Sequence, residues 1–336
     1  MFNKNKFGLD FGTSNSRISG LNKGILLDEP SVVAISVDDN SVIAIGYEAK
    51  EMLGKTPEGI ISKNPIKGGA IANYKISELM IKHFLSKVSK SKFLSGSEVV
   101  ASISSGLTSV EKRAIYEAIV NSGAKKVYLM PESLLTAIGC NLPIGTSSGN
   151  MVINIGGGTA EFAIISLNGI VISDAIRIGG DYINESIINF LKKNRGIVIG
   201  NQMAENIKLN IGSALPLTSP LEMEIKGRDS ITGMPKAVNI DTNIVVEAIK
   251  SPLNLIIQTT RQILEKTPPE LSSDIIDRGI LLSGGTSLLR NIDVLLSRAI
   301  GIPVYVNDNT LFNVSEGAAE AIKYIEALSK NIKNPL

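Results

Sequence analysis

The sequence predicts an α/β protein built from two related lobes that face each other across a cleft. Runs of β-branched residues alternate with segments of helical periodicity along the 336 residues, which is the pattern of an α/β fold. Residues 9–14 and 153–159, about 144 positions apart, share one order of residue types: apolar, Asp or Asn, apolar, glycine, then small residues. Because each copy continues as a strand to a second turn, the repeat predicts two lobes that each open with a hairpin.

The composition excludes several classes of protein. Hydrophobic residues make up 43% and charged residues 20%, which suits a chain with sizeable buried cores. A net charge of +2, no Trp and 4% aromatic residues argue against nucleic-acid binding. The single cysteine, Cys140, has no partner for an internal disulfide, and with the single histidine, His83, it is too little for a Cys/His zinc cluster. A Ser-His-Asp triad remains open only if His83 is its base.

The first part of the chain is predicted to hold two hairpins followed by helices and buried strands. The hairpins cover residues 7–19 and 31–45, the second turning at 38–40. Thr108 and Glu111 have capping-box spacing at the start of a helix that runs to about Asn121. The remaining predicted elements are a strand at 98–104, a strand at 127–130, a helix at 133–139, and a helix at 75–90 with Ile76, Leu79, Met80, His83, Phe84 and Val88 on one face.

The second part repeats the alternation and is predicted to end on a helix. A long helix is expected from about Thr242 to Lys266, with Pro252 early in it. The other expected elements are a helix after residues 179–181, a helix near 203–213, a strand-rich stretch at 221–240, a buried strand at 280–282, and a last helix at about 314–328.

Three glycine turns, each at the end of a predicted strand, are the main candidates for a binding site. In the first turn, Gly12, Thr13, Ser14 and Asn15 let consecutive backbone N–H groups form a nest for phosphate. Asp10 at the strand end is an oxygen ligand suited to hydrated Mg²⁺. A plain tight hairpin turn explains the same residues without a ligand, so both interpretations stay open here.

The second and third turns have the same two interpretations. Asn154 precedes Gly156, Gly157 and Gly158, and three successive glycines are costly unless the backbone must approach something closely. The alternative is a bulged hairpin. The third turn, residues 283–286 with Gly284, Gly285 and Thr286, suits the adenosine side or the α-phosphate of a nucleotide. Its alternative is a helix start packed on a strand.

Single charged residues give weaker signals. Glu205 and Lys208 lie three residues apart on one helix face, where they form either a surface pair or a contact to a ribose. Glu132 follows a predicted strand between the first two glycine turns, and it is either a surface carboxylate or a group that orients water toward a γ-phosphate. His83 and Cys140 are expected to pack in cores.

Taken in order, these motifs resemble the superfamily of actin, sugar kinases and heat-shock-chaperone ATPases, and within it the MreB family of bacterial actins. The resemblance covers nearly the whole chain. The stretches that carry it include LDFGTSNS (9–16), LDEPSVVAI (27–35), PIKGGAIANY (65–74), YLMPESLLTAIG (128–139), NIGGGTAEFAIISLNGIV (154–171), AENIKLNIGSA (204–214) and residues 263–293 around the sequence LLSGGTSLLRNID.

The resemblance implies an actin-like fold of two duplicated lobes, split into four subdomains around a cleft that holds ATP or ADP with Mg²⁺. The first lobe is expected to comprise residues 1–145 and 312–336, with a small subdomain at about 33–73. The second is expected to comprise residues 146–311, with a small subdomain at about 182–244.

The resemblance also implies roles for single residues. Asp10 matches the metal-proximal aspartate, and Glu132 with Thr159 matches the pair that positions the attacking water. The residues that match nucleotide-binding positions are Gly12, Thr13, Ser14, Asn15, Asn154, Gly156, Gly157, Gly158, Glu205, Lys208, Gly284, Gly285 and Thr286. Three positions depart from the family pattern: Asn154 replaces an aspartate, Glu132 lies in Pro-Glu-Ser instead of Glu-Glu-Pro, and Thr286 replaces a smaller residue. The loss of a carboxylate at Asn154 predicts slow hydrolysis.

Family members form paired protofilaments and bind membrane, so self-assembly and an anionic membrane surface are expected here. Phe93 and Leu94, surrounded by Lys87, Lys90 and Lys92, match a membrane-insertion loop. A solvated loop with one buried aromatic residue is the alternative. No apolar run reaches the roughly 18 residues of a spanning helix, and the N-terminus lacks the apolar region of a signal peptide. The expected location is the cytoplasm, at the inner face of the membrane.

Further partners implied by the resemblance are other MreB copies or cell-shape proteins, with no nucleic acid. A small-molecule kinase of the same fold would need a base aimed at a substrate hydroxyl, for which the sequence offers no clear candidate. A chaperone ATPase would need a peptide-binding domain beyond Leu336. A nucleotide-bound filament protein that hydrolyses little or no ATP remains a real alternative because of Asn154.

Overall fold

The structure is a computed structural model that describes residues 6–89 and 96–329. The strands of the first half are β1 (Lys6–Phe11), β2 (Asn15–Gly20), β3 (Gly24–Pro30), β4 (Val33–Ser36), β5 (Val42–Ile45), β6 (Ile60–Lys63), β7 (Ile66–Lys67), β8 (Ala70–Ile71), β9 (Glu98–Ile103) and β10 (Lys126–Pro131). Those of the second half are β11 (Asn150–Ile155), β12 (Ala160–Ser166), β13 (Gly169–Ile176), β14 (Ile197–Val198), β15 (Glu222–Asp229), β16 (Pro235–Asp241), β17 (Ile280–Ser283) and β18 (Val304–Val306).

Helices separate these strands, as the alternating pattern predicts. They are α1 (Tyr47–Glu51), α2 (Tyr74–Val88), α3 (Ser109–Asn121), α4 (Glu132–Gly139), α5 (Gly180–Arg195), α6 (Asn201–Ile211), α7 (Thr242–Glu265), α8 (Pro269–Arg278), α9 (Ile292–Ile300), α10 (Asn313–Ala321) and α11 (Ile325–Ser329). A 3₁₀ turn covers Gly285–Leu288. In the described parts of the chain, no helix has both the length and the apolar character that crossing a bilayer requires.

Two five-stranded sheets have the same strand order, which confirms the predicted duplication. In the first sheet, of order β10-β9-β1-β2-β3, β1 lies between antiparallel β2 and parallel β9. In the second, of order β18-β17-β11-β12-β13, β11 lies between antiparallel β12 and parallel β17. The central strands β1 and β11 are therefore equivalent, and a glycine turn follows each of them.

Smaller sheets lie within the stretches where insertions are predicted. Strands β4, β5 and β6 form one three-stranded sheet, and β14, β15 and β16 form another. Strands β7 and β8 form a two-stranded sheet near the first glycine turn. The limits of the four subdomains remain a prediction.

Each lobe has its own hydrophobic core, and a third core joins them. The first includes Phe7, Leu9 and Phe84, and the second includes Ile153, Phe162 and Ile256. The third combines residues of both large sheets with α4 and α10: Val100, Leu134, Val152, Ala163 and Val314. The first residue of α4 is Glu132, so this shared core positions that carboxylate between the lobes.

Most predicted elements are confirmed, and two details are wrong. The capping box forms, since Thr108 Oγ1 accepts from the Glu111 amide at 3.2 Å and Glu111 Oε2 accepts from the Thr108 amide at 2.8 Å. The predicted helix at 314–328 is instead α10 and α11, because i→i+3 bonds at Lys323 and Tyr324 tighten the chain between them. Ile76, Met80 and Phe84 of the predicted face of α2 are buried, but Leu79 is 40% exposed, because the buried face extends toward Ser77, Ile81 and Leu85.

Candidate functional site

One cleft of about 290 Å³ lies where the two lobes meet. It is lined by residues of all three glycine turns, of α6 and of the start of α4. Every predicted nucleotide-site residue lines it: Asp10, Gly12, Thr13, Ser14, Asn15, Glu132, Asn154, Gly156, Gly157, Gly158, Thr159, Glu205, Lys208, Gly284, Gly285 and Thr286. Phe93 and Leu94 lie outside the described residues.

The first turn is held in place by hydrogen bonds to its carbonyl groups and to the Thr13 hydroxyl. Ser31 donates from its hydroxyl to Gly12 O at 2.7 Å and from its amide to Ser14 O at 2.9 Å. Asn64 Nδ2 donates to Thr13 O at 3.2 Å, and the Gly69 amide donates to Thr13 Oγ1 at 3.0 Å. The turn between β1 and β2 is therefore braced from outside, which preorganises it for a ligand.

The second turn touches the first, and this contact requires glycine. A Cβ placed on Gly157 would lie 1.9 Å from Ser14 Oγ, and one on Gly158 would lie 2.4 Å from Thr13 Oγ1. Real Cβ atoms do not approach other atoms so closely. Loop-to-loop contact thus accounts for two of the three glycines that the sequence associates with ligand approach.

The third turn is braced on the second. Gly284 has φ +87°, a conformation that disfavours side chains, and it packs against Ile155 O. Thr286 Oγ1 donates to Gly156 O at 2.8 Å. The bulk of Thr286, a departure from the family pattern, is thereby accommodated by a hydrogen bond to the neighbouring turn.

Asp10 is buried and Glu132 is half-buried, and both carboxyl groups line the cleft. Ser102 Oγ donates to Asp10 Oδ1 at 3.0 Å, and Asn154 Nδ2 donates to Glu132 Oε2 at 3.3 Å. Burial raises the pKa of Asp10 despite the opposing charge of Arg17. Burial, with the nearby carboxyl groups of Glu161 and Asp10, raises the pKa of Glu132 well above its usual range. A carboxyl group with a raised pKa holds a proton more readily, which suits it to exchange a proton with water.

Glu161 is a buried carboxyl group that sequence reasoning did not select. It has no exposed surface, and it accepts from the Ser105 amide at 2.8 Å, from Ser105 Oγ at 3.2 Å and from the Ser133 amide at 3.3 Å. Glu161 is on the second sheet, whereas both serines belong to the first part of the chain. Its carboxylate therefore joins the lobes directly beside Glu132. A charged residue in the fully buried strand β12 is the signal that could have found it.

Asp181, in the first turn of α5, was also missed. It lines the cleft and shares a hydrogen bond with the side chain of Ser14. Burial raises its pKa, while Lys208 opposes the shift. Its position directly after Gly179 and Gly180 was a usable signal, because acidic residues favour the first turn of a helix.

Glu205 and Lys208 face the cleft from α6. Lys208 Nζ donates to Gly180 O at 3.1 Å, and burial lowers its pKa although Glu205 and Asp181 act in the opposite direction. The pair is therefore part of the cleft wall and not an ordinary surface ion pair. Its carboxylate and ammonium groups offer one acceptor and one donor to a polar ligand.

A metal ion would depend mainly on a ligand in this cleft. Among the described residues, no group of three or more His, Cys, Asp or Glu side chains is arranged to hold one. Asp10 supplies one carboxylate, and Asn154 Oδ1 is a buried acceptor without a hydrogen-bond partner. One or two oxygen ligands suit Mg²⁺, which keeps several waters and binds substrate phosphates. The residues present therefore fit a magnesium–phosphate complex.

The single histidine and cysteine do not line the cleft. His83 is half-buried and its ring packs edge-to-face on Phe84, so its expected core position is only partly correct. Cys140 is partly buried beside the shared core, and burial raises the pKa of its thiol to about 12. A triad based on His83 has no support from its position, and the raised pKa of Cys140 keeps its thiol protonated at neutral pH.

The duplicated sheets and the cleft between them define an actin-like protein. The fold matches MreB5 of Spiroplasma citri bound to AMPPNP with a TM-score of 0.92 and 31% identity, over 98% of this chain and 99% of that chain. It also matches the MamK double helical filament with a TM-score of 0.79 over 96% of this chain and 99% of that one, and at 18% identity that match concerns the fold alone.

The chain belongs to the MreB/Mbl protein family. The family model matches residues 4–330. The chain is 43% identical to the cell shape-determining protein MreB of Escherichia coli K12 over 327 residues, which are 96% of this chain and 94% of that protein. It is 40% identical to the cell shape-determining protein Mbl of Bacillus subtilis 168 over 323 residues, 96% of this chain and 97% of that protein.

Proposed function

We propose that this chain binds ATP in the interlobe cleft, hydrolyses it slowly, and assembles into paired protofilaments at the inner face of the cell membrane in cell-shape determination. The observation that carries the proposal is the meeting of two equivalent glycine turns in one cleft, with Glu132 between them. Membership of the MreB/Mbl family and nucleotide-bound relatives of the same fold support it.

Each of the three turns is assigned to a different part of the nucleotide. Gly12, Thr13, Ser14 and Asn15 offer backbone donors to the phosphates from one lobe, and Gly156, Gly157 and Gly158 offer them from the other. Gly284, Gly285 and Thr286 face the adenosine side. Glu205 and Lys208 contact the ribose hydroxyls from α6. Asp10, through water, and Asn154 would hold Mg²⁺, which would neutralise charge on the phosphates.

Hydrolysis is assigned to Glu132 with Thr159. Asn154 already binds Glu132 Oε2, so Oε1 is left for the attacking water. Glu132 takes a proton from that water as its oxygen bonds to the γ-phosphorus and the bond to the β–γ bridging oxygen breaks. Thr159 lies beside the second turn and orients the same water. Asn154 brings no charge to the metal side, so the reaction is expected to be slow.

The first test is nucleotide binding and phosphate release by the purified chain and Glu132→Ala. The variant should bind ATP with nearly unchanged affinity and release phosphate about 100-fold more slowly, the loss typical of a removed general base. Loss of ATP binding would instead make Glu132 a structural residue. Absence of ATP binding by the unaltered protein would contradict the proposed function itself.

Membrane attachment is assigned to the segment that contains Phe93 and Leu94. Of the lysines near it, Lys87 already pairs with Glu29 at 2.8 Å, so Lys90 and Lys92 are the expected contacts to anionic lipid. Replacing Phe93 and Leu94 together by Ser should abolish pelleting with anionic liposomes and leave self-assembly intact. Unchanged pelleting with liposomes would overturn this assignment.

A second function is a nucleotide-bound filament protein with little or no hydrolysis. Asn154 favours it, because an uncharged amide lines the cleft where the family pattern has an aspartate. The name of MamK describes that relative as a double helical filament, which supports assembly without bearing on hydrolysis. Phosphate release measured with and without magnesium separates the two functions.

A further inference from the structure

Arg17 lies in a row of charged residues that crosses the first sheet. Asp10 on β1 is directly opposite Arg17 on β2, and Arg17 is directly opposite Asp28 on β3. Residues opposite each other in a sheet project to the same face. The row therefore places one guanidinium between two carboxylates, next to the first glycine turn.

The contacts of Arg17 hold its inner end and leave its outer end available. Its Nε forms an ion pair with Asp28 Oδ1 at 2.9 Å but is buried without a hydrogen-bond partner among the described residues, and its guanidinium carbon lies 5.5 Å from the centre of the Phe312 ring. The side chain is 13% exposed and lines the cleft. Within residues 6–89 and 96–329, its two terminal nitrogens donate no hydrogen bond. An oriented cation with unused donors costs free energy unless a ligand completes its bonding.

The charges around the cleft also require such a cation. Its lining has four acidic residues, Asp10, Glu132, Asp181 and Glu205. Only two basic residues, Arg17 and Lys208, line it among the described residues. Lys208 lies on the α6 side, where its Nζ already donates a hydrogen bond to Gly180 O. Arg17 is thus the one basic side chain beside the first turn, where a polyphosphate would otherwise meet mostly acidic groups.

We propose that Arg17 is a phosphate-binding residue of the nucleotide site. Its terminal nitrogens donate to an oxygen of the phosphate chain, while Asp28 and Phe312 hold the guanidinium in place. Planar guanidinium groups bind phosphate through paired, charge-assisted hydrogen bonds. This inference rests on the proposed nucleotide site and adds a ligand to it. The competing interpretation is structural, with Arg17 serving only to neutralise Asp10 and Asp28.

Binding of ATP, ADP and adenosine by Arg17→Gln separates the two interpretations. Calorimetry or competition with a fluorescent ADP, with magnesium and with EDTA, gives each affinity. A phosphate contact predicts that ATP and ADP bind about 10- to 100-fold more weakly, as expected for one lost charged hydrogen bond, while adenosine binds equally well. Arg17→Lys should recover part of the loss. Arg113→Gln, which removes an exposed arginine paired with Glu117, is the matched control and should change nothing.

The double variant Arg17→Gln/Asp28→Asn guards against a folding defect, because it leaves no unpaired Asp28 carboxylate. It should unfold close to the unaltered protein in urea and still lose ADP affinity. Equal ADP affinity in the variants and the unaltered protein would overturn the inference and leave the proposed function intact. An equal loss for ADP and adenosine would also overturn it. If the unaltered protein bound no nucleotide, the proposed function would fail first and this inference with it.

Discussion

Glu161 shows how one buried side chain links the two lobes. Its carboxylate receives amide hydrogen bonds from Ser105 and Ser133, and Ser133 directly follows Glu132. Movement of one lobe against the other therefore bears on the position of Glu132. These hydrogen bonds to Glu161 form without a ligand, so the connection between the lobes is part of the fold itself.

Replacing Glu161 by Gln tests this link. The amide cannot accept from all the donors that face the carboxylate, so the free energy of unfolding should fall by about 1–3 kcal/mol. Urea denaturation measures it, and Glu224→Gln, at an exposed position, is the control. Burial raises the pKa of Glu161, so its contribution is complete at low pH and declines as pH rises from about 4.5 through its shifted pKa. The loss of unfolding free energy in Glu161→Gln, relative to the unaltered protein, should therefore become smaller toward pH 8. A loss that grew with pH would contradict this account.

At this scale the sequence predicts residues that belong to continuous motifs and misses those that act through tertiary contacts. The glycine turns and Glu132 are recognisable because neighbouring residues carry the pattern. Glu161 and Asp181 acquire their importance from partners far along the chain, Ser105 and Ser14, and Arg17 acquires its importance from Asp28 on the neighbouring strand. No local pattern encodes those distances.

The glycine turns act as a contact between elements as well as a binding surface. Ser14 lies against Gly157 and Thr13 lies against Gly158, so the turns that follow β1 and β11 contact each other. Thr13 is also bonded to Gly69 and Asn64. The contacts of a nucleotide phosphate bound between these turns would therefore depend on the distance between the two lobes.

Gly158→Ala should disturb this contact. Its methyl group would lie 2.4 Å from Thr13 Oγ1, so the turns must separate, and we expect ADP affinity to fall at least about tenfold and stability by about 1–3 kcal/mol. Gly59→Ala is the matched control, because its methyl group meets no atom within 4 Å. Competition with a fluorescent ADP measures the affinity. Equal affinity in both variants would mean that the turns separate without effect on binding.

The sequence predicts the boundary of an element most accurately where a local capping motif or a long periodic pattern marks it. The cap at Thr108 and the start of α7 at Thr242 are found to the residue, since each has a side-chain cap or a long periodic run behind it. The break between α10 and α11 is not visible in the sequence. Ile322 and Leu328 both reach the shared core, and tertiary packing decides how the chain turns between them.

At the scale of the whole molecule, the duplication explains the site. Two sheets of identical order, joined by a third core around α4 and α10, bring two equivalent strand ends together. Length and repeat predict this arrangement from the sequence. Contacts between the two halves of the chain, such as Arg177 to Glu111 at 3.3 Å, depend on the relative placement of the lobes and require the structure.

The most direct test of the account measures phosphate release and pelleting of the purified chain together, over a range of protein concentrations with Mg-ATP. Hydrolysis in this site coupled to assembly predicts slow release that rises in step with the pelleted fraction and falls to background in Glu132→Ala. Assembly without release above background would contradict the hydrolytic part of the account and place the protein among nucleotide-bound filament proteins. Asn154→Asp would then show whether the missing carboxylate is the cause.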